Sequence, residues 1–151
     1  MPSVIGRPFR SEVLVPRRFS RLVVTNAQLL NLFTTQITLV PGVSGFFYVP
    51  RWFHAVKDAG TAYTLNASTS FGIYWTNIAG AAAATVAPAG FLDQTGQLTI
   101  FGSGPFTASV VTAINGAPLV VGNNVANMTL GTGNVTIFCI YDIWPMSFAF
   151  V

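Results

Sequence analysis

Short runs of alternating apolar and polar residues, broken by Gly, Pro, Asn or Asp, fill the chain from Gln36 onward. Period-two alternation is a strand signal, because successive side chains leave a strand on opposite faces. It predicts strands at 36–40, 45–49, 52–56, 61–65, 71–75, 97–101, 106–114, 119–121, 125–130 and 135–143. Pro41-Gly42, Asp58-Ala59-Gly60, Gly102-Ser103-Gly104-Pro105, Asn115-Gly116, Gly122-Asn123-Asn124 and Gly131-Thr132-Gly133-Asn134 supply the turns. Asn115-Gly116 is the strongest two-residue hairpin signal among them. The stretch 79–90 reads as an Ala/Gly/Pro loop bracketed by Gly80, Pro88 and Gly90. One segment has a helical pattern. Thr25-Asn26-Ala27-Gln28 fits a capping box, and Leu29, Leu30, Leu32 and Phe33 follow, so a short helix is expected near residues 26–33.

Short strands at fairly regular spacing define an all-β chain, a single β-sandwich or jelly-roll-like domain. In 135–143, Val135, Ile137, Cys139, Tyr141 and Ile143 share one face, and Thr136, Phe138, Ile140 and Asp142 the other. Both faces are largely apolar, which predicts cover on both sides. Elsewhere the solvent-side positions are expected to use Thr, Ser, Asn and Gln, which hydrogen-bond without the desolvation cost of a buried charge. Residues 1–21 are set apart from this body (22–151) as an extended arm. Pro2, Pro8 and Pro16 bias it to extended conformations, and Arg7, Arg10, Arg17, Arg18 and Arg21 are spaced between them.

Charge sharpens the picture. Charged residues make up 7% of the chain and hydrophobic residues 52%, where a soluble domain usually carries about 25% charged residues. The arm has five arginines against Glu12, net +4, while the body has Arg51 and Lys57 against Asp58, Asp93 and Asp142, net −1. So little charge cannot keep the surface of a lone monomer hydrated and free of apolar patches, so lipid or protein must cover it. A spanning helix needs about 20 apolar residues. The best stretch, 78–92, is shorter, Ala/Gly-rich and broken by Pro88. Glu12, Pro16 and the polar Thr25, Asn26 and Gln28 also interrupt any secretory apolar core. The expected cover is protein, and no membrane partner is expected.

Chemistry-bearing residues are few. Cys139 and His54 are the only Cys and His, so a nucleophile pair is arithmetically possible, but no glycine-framed nucleophile turn surrounds Cys139. Its strand context predicts a buried, inert thiol. Asp58, Asp93 and Asp142 could meet only through the fold, and one His with one Cys leaves no zinc spacing. No catalytic residue, metal, cofactor or small-molecule substrate is expected, and the chain reads as no enzyme. The triplets starting at Asn66, Asn127 and Asn134 match the glycosylation pattern by chance in a chain rich in Asn and Thr. Trp52, Tyr63, Tyr74, Trp75 and Trp144 could stack on sugars in a lectin-like, tail-associated receptor-binding module, though aromatics at strand positions are more often core. Only the arm could contact phosphate, weakly and without sequence preference. The carboxyl end, with Trp144, Phe148 and Phe150, would be an aggregation liability if free, and is expected at a subunit interface.

The segments Asn26-Ala27-Gln28-Leu29-Leu30-Asn31-Leu32, Thr38-Leu39-Val40-Pro41-Gly42-Val43-Ser44-Gly45-Phe46-Phe47-Tyr48-Val49-Pro50 and Asp58-Ala59-Gly60-Thr61-Ala62-Tyr63 resemble small virion structural proteins of tailed bacteriophages, among them capsid decoration (cement) proteins. The resemblance covers roughly 22–75. It implies a β-rich fold, a homotrimer and no catalytic residues. The Ala-rich insert and apolar carboxyl end depart from it. The function expected is a decoration protein, made in the host cytoplasm, that trimerises on the outer shell. The arm arginines would bind the major capsid protein and stabilise contacts between its capsomers. The alternative within virions is the coat protein of a small virus with a genome-contacting arm.

Overall fold

The structure is a computed structural model and describes residues 16–103 and 115–146. Among them run β1 (Arg17–Val24), α1 (Asn26–Leu29), β2 (Ile37–Val40), β3 (Phe46–Lys57), β4 (Phe71–Trp75), β5 (Ala82–Val86), β6 (Leu98–Ser103), β7 (Leu119–Asn123) and β8 (Val135–Pro145). Pairing is nested: β1 with β8, β2 with β7, β3 with β6 and β4 with β5, all antiparallel. That is the ladder of one long hairpin. Two further pairings, β3 with β8 and β4 with β7, roll it into sheets of order β1-β8-β3-β6 and β2-β7-β4-β5. The result is a jelly roll, as the strand pattern predicts.

The core lies between the two sheets. Phe53, Ala55, Ile137 and Cys139 from the first meet Phe71, Ile73, Leu119 and Val121 from the second, all essentially inaccessible to water. The helix plugs one end. Thr25 caps it, Gln28 completes the capping box, and Leu29 and Leu32 are fully buried. It is shorter than the two turns expected, with hydrogen-bonded turns taking over after Leu29.

Several expectations change. The segments 45–49 and 52–56 are one strand, β3, with a bulge between Pro50 and Trp52 where it pairs with β8. Arg51 is the extra residue. Tyr48 and Pro50 face inward before it, Phe53, Ala55 and Lys57 after it, so the bulge resets the alternation and keeps apolar residues inside. The loop expected at 79–90 contains β5, an edge strand whose Ala83 and Ala84 are buried against β4. Alanine has poor strand propensity, and pairing supplies what propensity lacks. The runs 61–65 and 125–130 form only the bridge between Thr64 and Thr129, since Asn66, Ala67, Val125 and Leu130 take positive φ and break the extension. β1 begins at Arg17, so the last five residues of the expected arm belong to the body. The strand expected at 106–114 lies outside the described residues. Asn115 and Gly116 form a turn, where Asn115 Oδ1 accepts from the Gly45 N–H at 2.8 Å.

Asparagine side chains tie the loops. Asn127 Oδ1 accepts from the Phe33 and Thr34 N–H groups, and Asn124 Oδ1 from those of Thr69 and Ser70. The three glycosylation-like asparagines are all engaged in this way. Asn66 donates to the Asn127 carbonyl at 2.9 Å, and Asn134 accepts from the Asn26 N–H at 3.0 Å.

Candidate interaction surface

The outer faces of the two sheets differ, and the difference locates the site. On the second sheet, Gly72, Tyr74, Val120 and Gly122 face outward by their register, yet all are buried. Gly122 is the reason. A Cβ there would sit 2.2 Å from Ile78 Cγ2, so only a bare Cα lets Ile78 fold down over the strands. Asn77 organises that turn, accepting from the Ala79 and Gly80 N–H groups. Ile78 of the loop after β4 thus covers the second sheet at Gly122.

Among the described residues, no loop covers the first sheet in this way. Register places Arg21 of β1, Phe138 of β8, His54 of β3 and Phe101 of β6 in one row across all four strands. Phe19, paired with Ile140 on the same face, leans onto Phe138. The rings of Phe19, Phe138, His54 and Phe101 form a continuous stack, with centroid separations of 6.0, 5.3 and 4.6 Å and interplanar angles of 29°, 22° and 11°. Trp52 tilts against both His54 and Phe101, and the Arg21 guanidinium lies 5.9 Å from the Phe138 centroid. Phe19 is 59% exposed and Phe101 62%. The expectation of Thr- and Gln-rich solvent faces fails here, and within the described residues Phe138 and Ile140 of β8 are left half-exposed. The rings shield one another, so the face presents their edges as a ridge.

A charged clamp closes one end of this face. Asp142, 5% exposed, accepts from Arg17 Nε at 3.1 Å and from Arg51 Nε at 2.7 Å. Arg51 reaches it because the β3 bulge turns an extra residue outward beside β8. Burial pushes the carboxyl upward, but hydrogen bonds from Arg51 and Arg17, and then their charges, outweigh it and hold it below the usual carboxylate range. Beyond the clamp, Phe47 and Trp144 stack at 6.3 Å.

The structure therefore brings together Arg17, Arg21 and Trp144 on one face. Arg18, on the alternate side of β1, is exposed near Tyr141. Arg7, Arg10, Phe148 and Phe150 lie outside the described residues. Phe19, Phe101 and Phe138 were not singled out in sequence, where apolar alternation looks the same for a covered face and a bare one. Register alone puts them in a row.

The residues weighed for chemistry are dispersed. Cys139 pairs with Phe53 and His54 with Phe138, so the thiol faces the core and the imidazole faces out. Burial pushes the Cys139 thiol up to about 12. His54 Nε2 is buried with no hydrogen-bond partner among the described residues. Asp93 accepts from the Gly90 N–H and from Gln94 at its own turn, and no group of three or more His, Cys, Asp or Glu could hold a metal ion among the described residues. Of the aromatics considered for sugars, Tyr63, Tyr74 and Trp75 are at most 6% exposed, with Trp75 Nε1 donating to the Tyr48 carbonyl at 2.8 Å. Lys57 is fully buried, donating to the Asp58 carbonyl at 3.1 Å, and desolvation lowers its pKa against the opposing pull of Asp58. No described helix is long and apolar enough to cross a membrane.

The fold and this face together define a jelly-roll domain whose described residues present an exposed aromatic row on one sheet. No family model matches the sequence, and no curated protein does. Among solved structures, the chain is similar to one described as the cyanophage Pam1 capsid asymmetric unit. The match has a TM-score of 0.44 and 12% identity over 85% of this chain and 84% of that one.

Proposed function

We propose that the chain is a virion structural protein, a decoration protein that sits on the outer capsid shell, trimerises and stabilises contacts between capsomers. One observation carries this reading: an aromatic sheet face that the described residues leave exposed, in a body with almost no charge. Apolar faces of this kind belong to proteins whose working state is an assembly. The nested jelly roll supports it, since the architecture recurs in viral capsid domains, although it also serves lectins and cupins.

The experiment adds purified chain to shells that lack it and measures occupancy, shell stability to heat, and solution mass. The expected result is saturable binding, a raised shell melting temperature and a trimeric mass. A monomer at micromolar concentration with no affinity for shells would refute the reading.

A second reading has its own support. Arg17, Arg18 and Arg21 open β1 directly after the arginine-bearing amino terminus. A coat subunit that contacts its genome would show the same arrangement. RNA or DNA retained through size exclusion in moderate salt, with a steep loss on raising salt, would favour that reading over decoration.

A further inference from the structure

The sheet face has a chemistry specific enough to say what it meets. We propose that the outer face of the first sheet, centred on the Phe138–His54–Phe101 stack and rimmed by Arg21, docks on a carboxylate-bearing surface of a different protein. The proposal rests on the virion reading only for the identity of that protein.

Three candidate occupants fit an exposed aromatic face, and the geometry separates them. Single-stranded nucleic acid needs free ring faces for its bases. Here both faces of Phe138 and His54 are taken by neighbouring rings. Only the two end rings, Phe19 and Phe101, keep a free face, and they stand at opposite ends of the stack, too far apart to receive successive bases. A second copy must complement the same surface. The face carries Arg17, Arg21 and Arg51 against the single acid Asp142, which is already shared by two of them. A two-fold contact would set guanidinium against guanidinium. A head-to-tail contact would need carboxylates from elsewhere on the chain. Asp93 is bonded at its own turn, which leaves Asp58 among the described residues and Glu12 outside them, within the arginine-bearing arm. Two acids far apart in sequence, one of them amid arginines, do not match this rim.

Ring edges are the electropositive part of an aromatic side chain, so the ridge and the arginines ask for the same complement. That complement is an apolar protein surface edged with carboxylate and carbonyl oxygens. Arg21 is the best placed to meet it: exposed, on an edge strand, and held over Phe138 rather than paired with an acid in the described structure.

The test uses the full-length chain. A photoreactive benzoylphenylalanine replaces Phe101 and, as a control, Val43, which is half-exposed away from the row. Both are irradiated in the cells that make the chain. The expected product from position 101 is an adduct with a different protein, on a peptide bearing Asp or Glu, reduced by Arg21→Glu and absent from position 43. An adduct with a sister copy, an adduct with nucleic acid, or none at all would overturn the proposal. In the second arm, Phe101→Thr and Arg21→Glu are added to shells lacking the chain. Each should bind roughly tenfold or more weakly than wild type, with circular dichroism and solution mass unchanged. Wild-type binding by Phe101→Thr, or a fall in its solution mass, would overturn the docking face. Absence of wild-type chain from particles would instead overturn the virion reading, and the crosslinked peptide would still decide the face.

Discussion

Replacing Asp142 with Asn isolates the clamp at the end of the sheet face. The carboxylate is buried and shared, but its partners are not equally committed. The Arg17 side chain is 68% exposed and that of Arg51 41%. A buried charge-assisted hydrogen bond contributes about 1.5–3 kcal/mol, and an exposed one about 0–1 kcal/mol. Arg51 should therefore dominate, with the pair together worth roughly 2–3 kcal/mol once solvent screening is allowed for. An amide in place of the carboxylate keeps the size but offers one acceptor and turns a donor toward the second guanidinium. For a chain of this length that loss corresponds to a fall of about 5–10 °C in melting temperature.

The pH dependence gives an independent check. The folded carboxyl titrates below its ordinary value of 3.8, so the unfolded chain takes up the proton first as pH falls. The contribution is complete well above 3.8 and is lost as pH drops through the lower folded value. Thermal unfolding by circular dichroism between pH 2 and pH 8 should show wild type above Asp142→Asn at neutral pH, with the curves converging in acid. A variant that melts within 1 °C of wild type at pH 7, or a gap that persists undiminished at pH 2, would refute the clamp.

Two further outcomes follow from the fold. Removing residues 1–15 should leave a cooperatively folded body by circular dichroism, while removing 1–21 strips five residues of β1 from β8 and should produce aggregation on size exclusion, as an opened edge does. Gly122→Ala should cost about 1–3 kcal/mol by overpacking against Ile78; adding Ile78→Ala should restore part of it in a denaturant double-mutant cycle, and strict additivity would show that Ile78 is not the group displaced.

Local sequence determined much of this protein. The period-two runs set the all-β class, and Thr25 with Gln28 set the place of the helix, because both depend on residues a few positions apart. The inert, core-facing Cys139 was legible from its strand as well. Tertiary structure decided the rest. The Arg51 bulge joins two predicted runs into one strand because pairing with β8 spans the break. β5 exists in a poor strand sequence because β4 supplies its ladder. Three arm residues singled out for capsid contact, Arg17, Arg18 and Arg21, are fixed in β1 by a partner more than a hundred residues away. The aromatic row is the clearest case. Phe19, His54, Phe101 and Phe138 come from four strands, so no local window holds the pattern, and only register aligns them. Which face stays bare was settled elsewhere again, by a glycine that admits Ile78 over the second sheet and by the lack of any such cover from the described loops over the first.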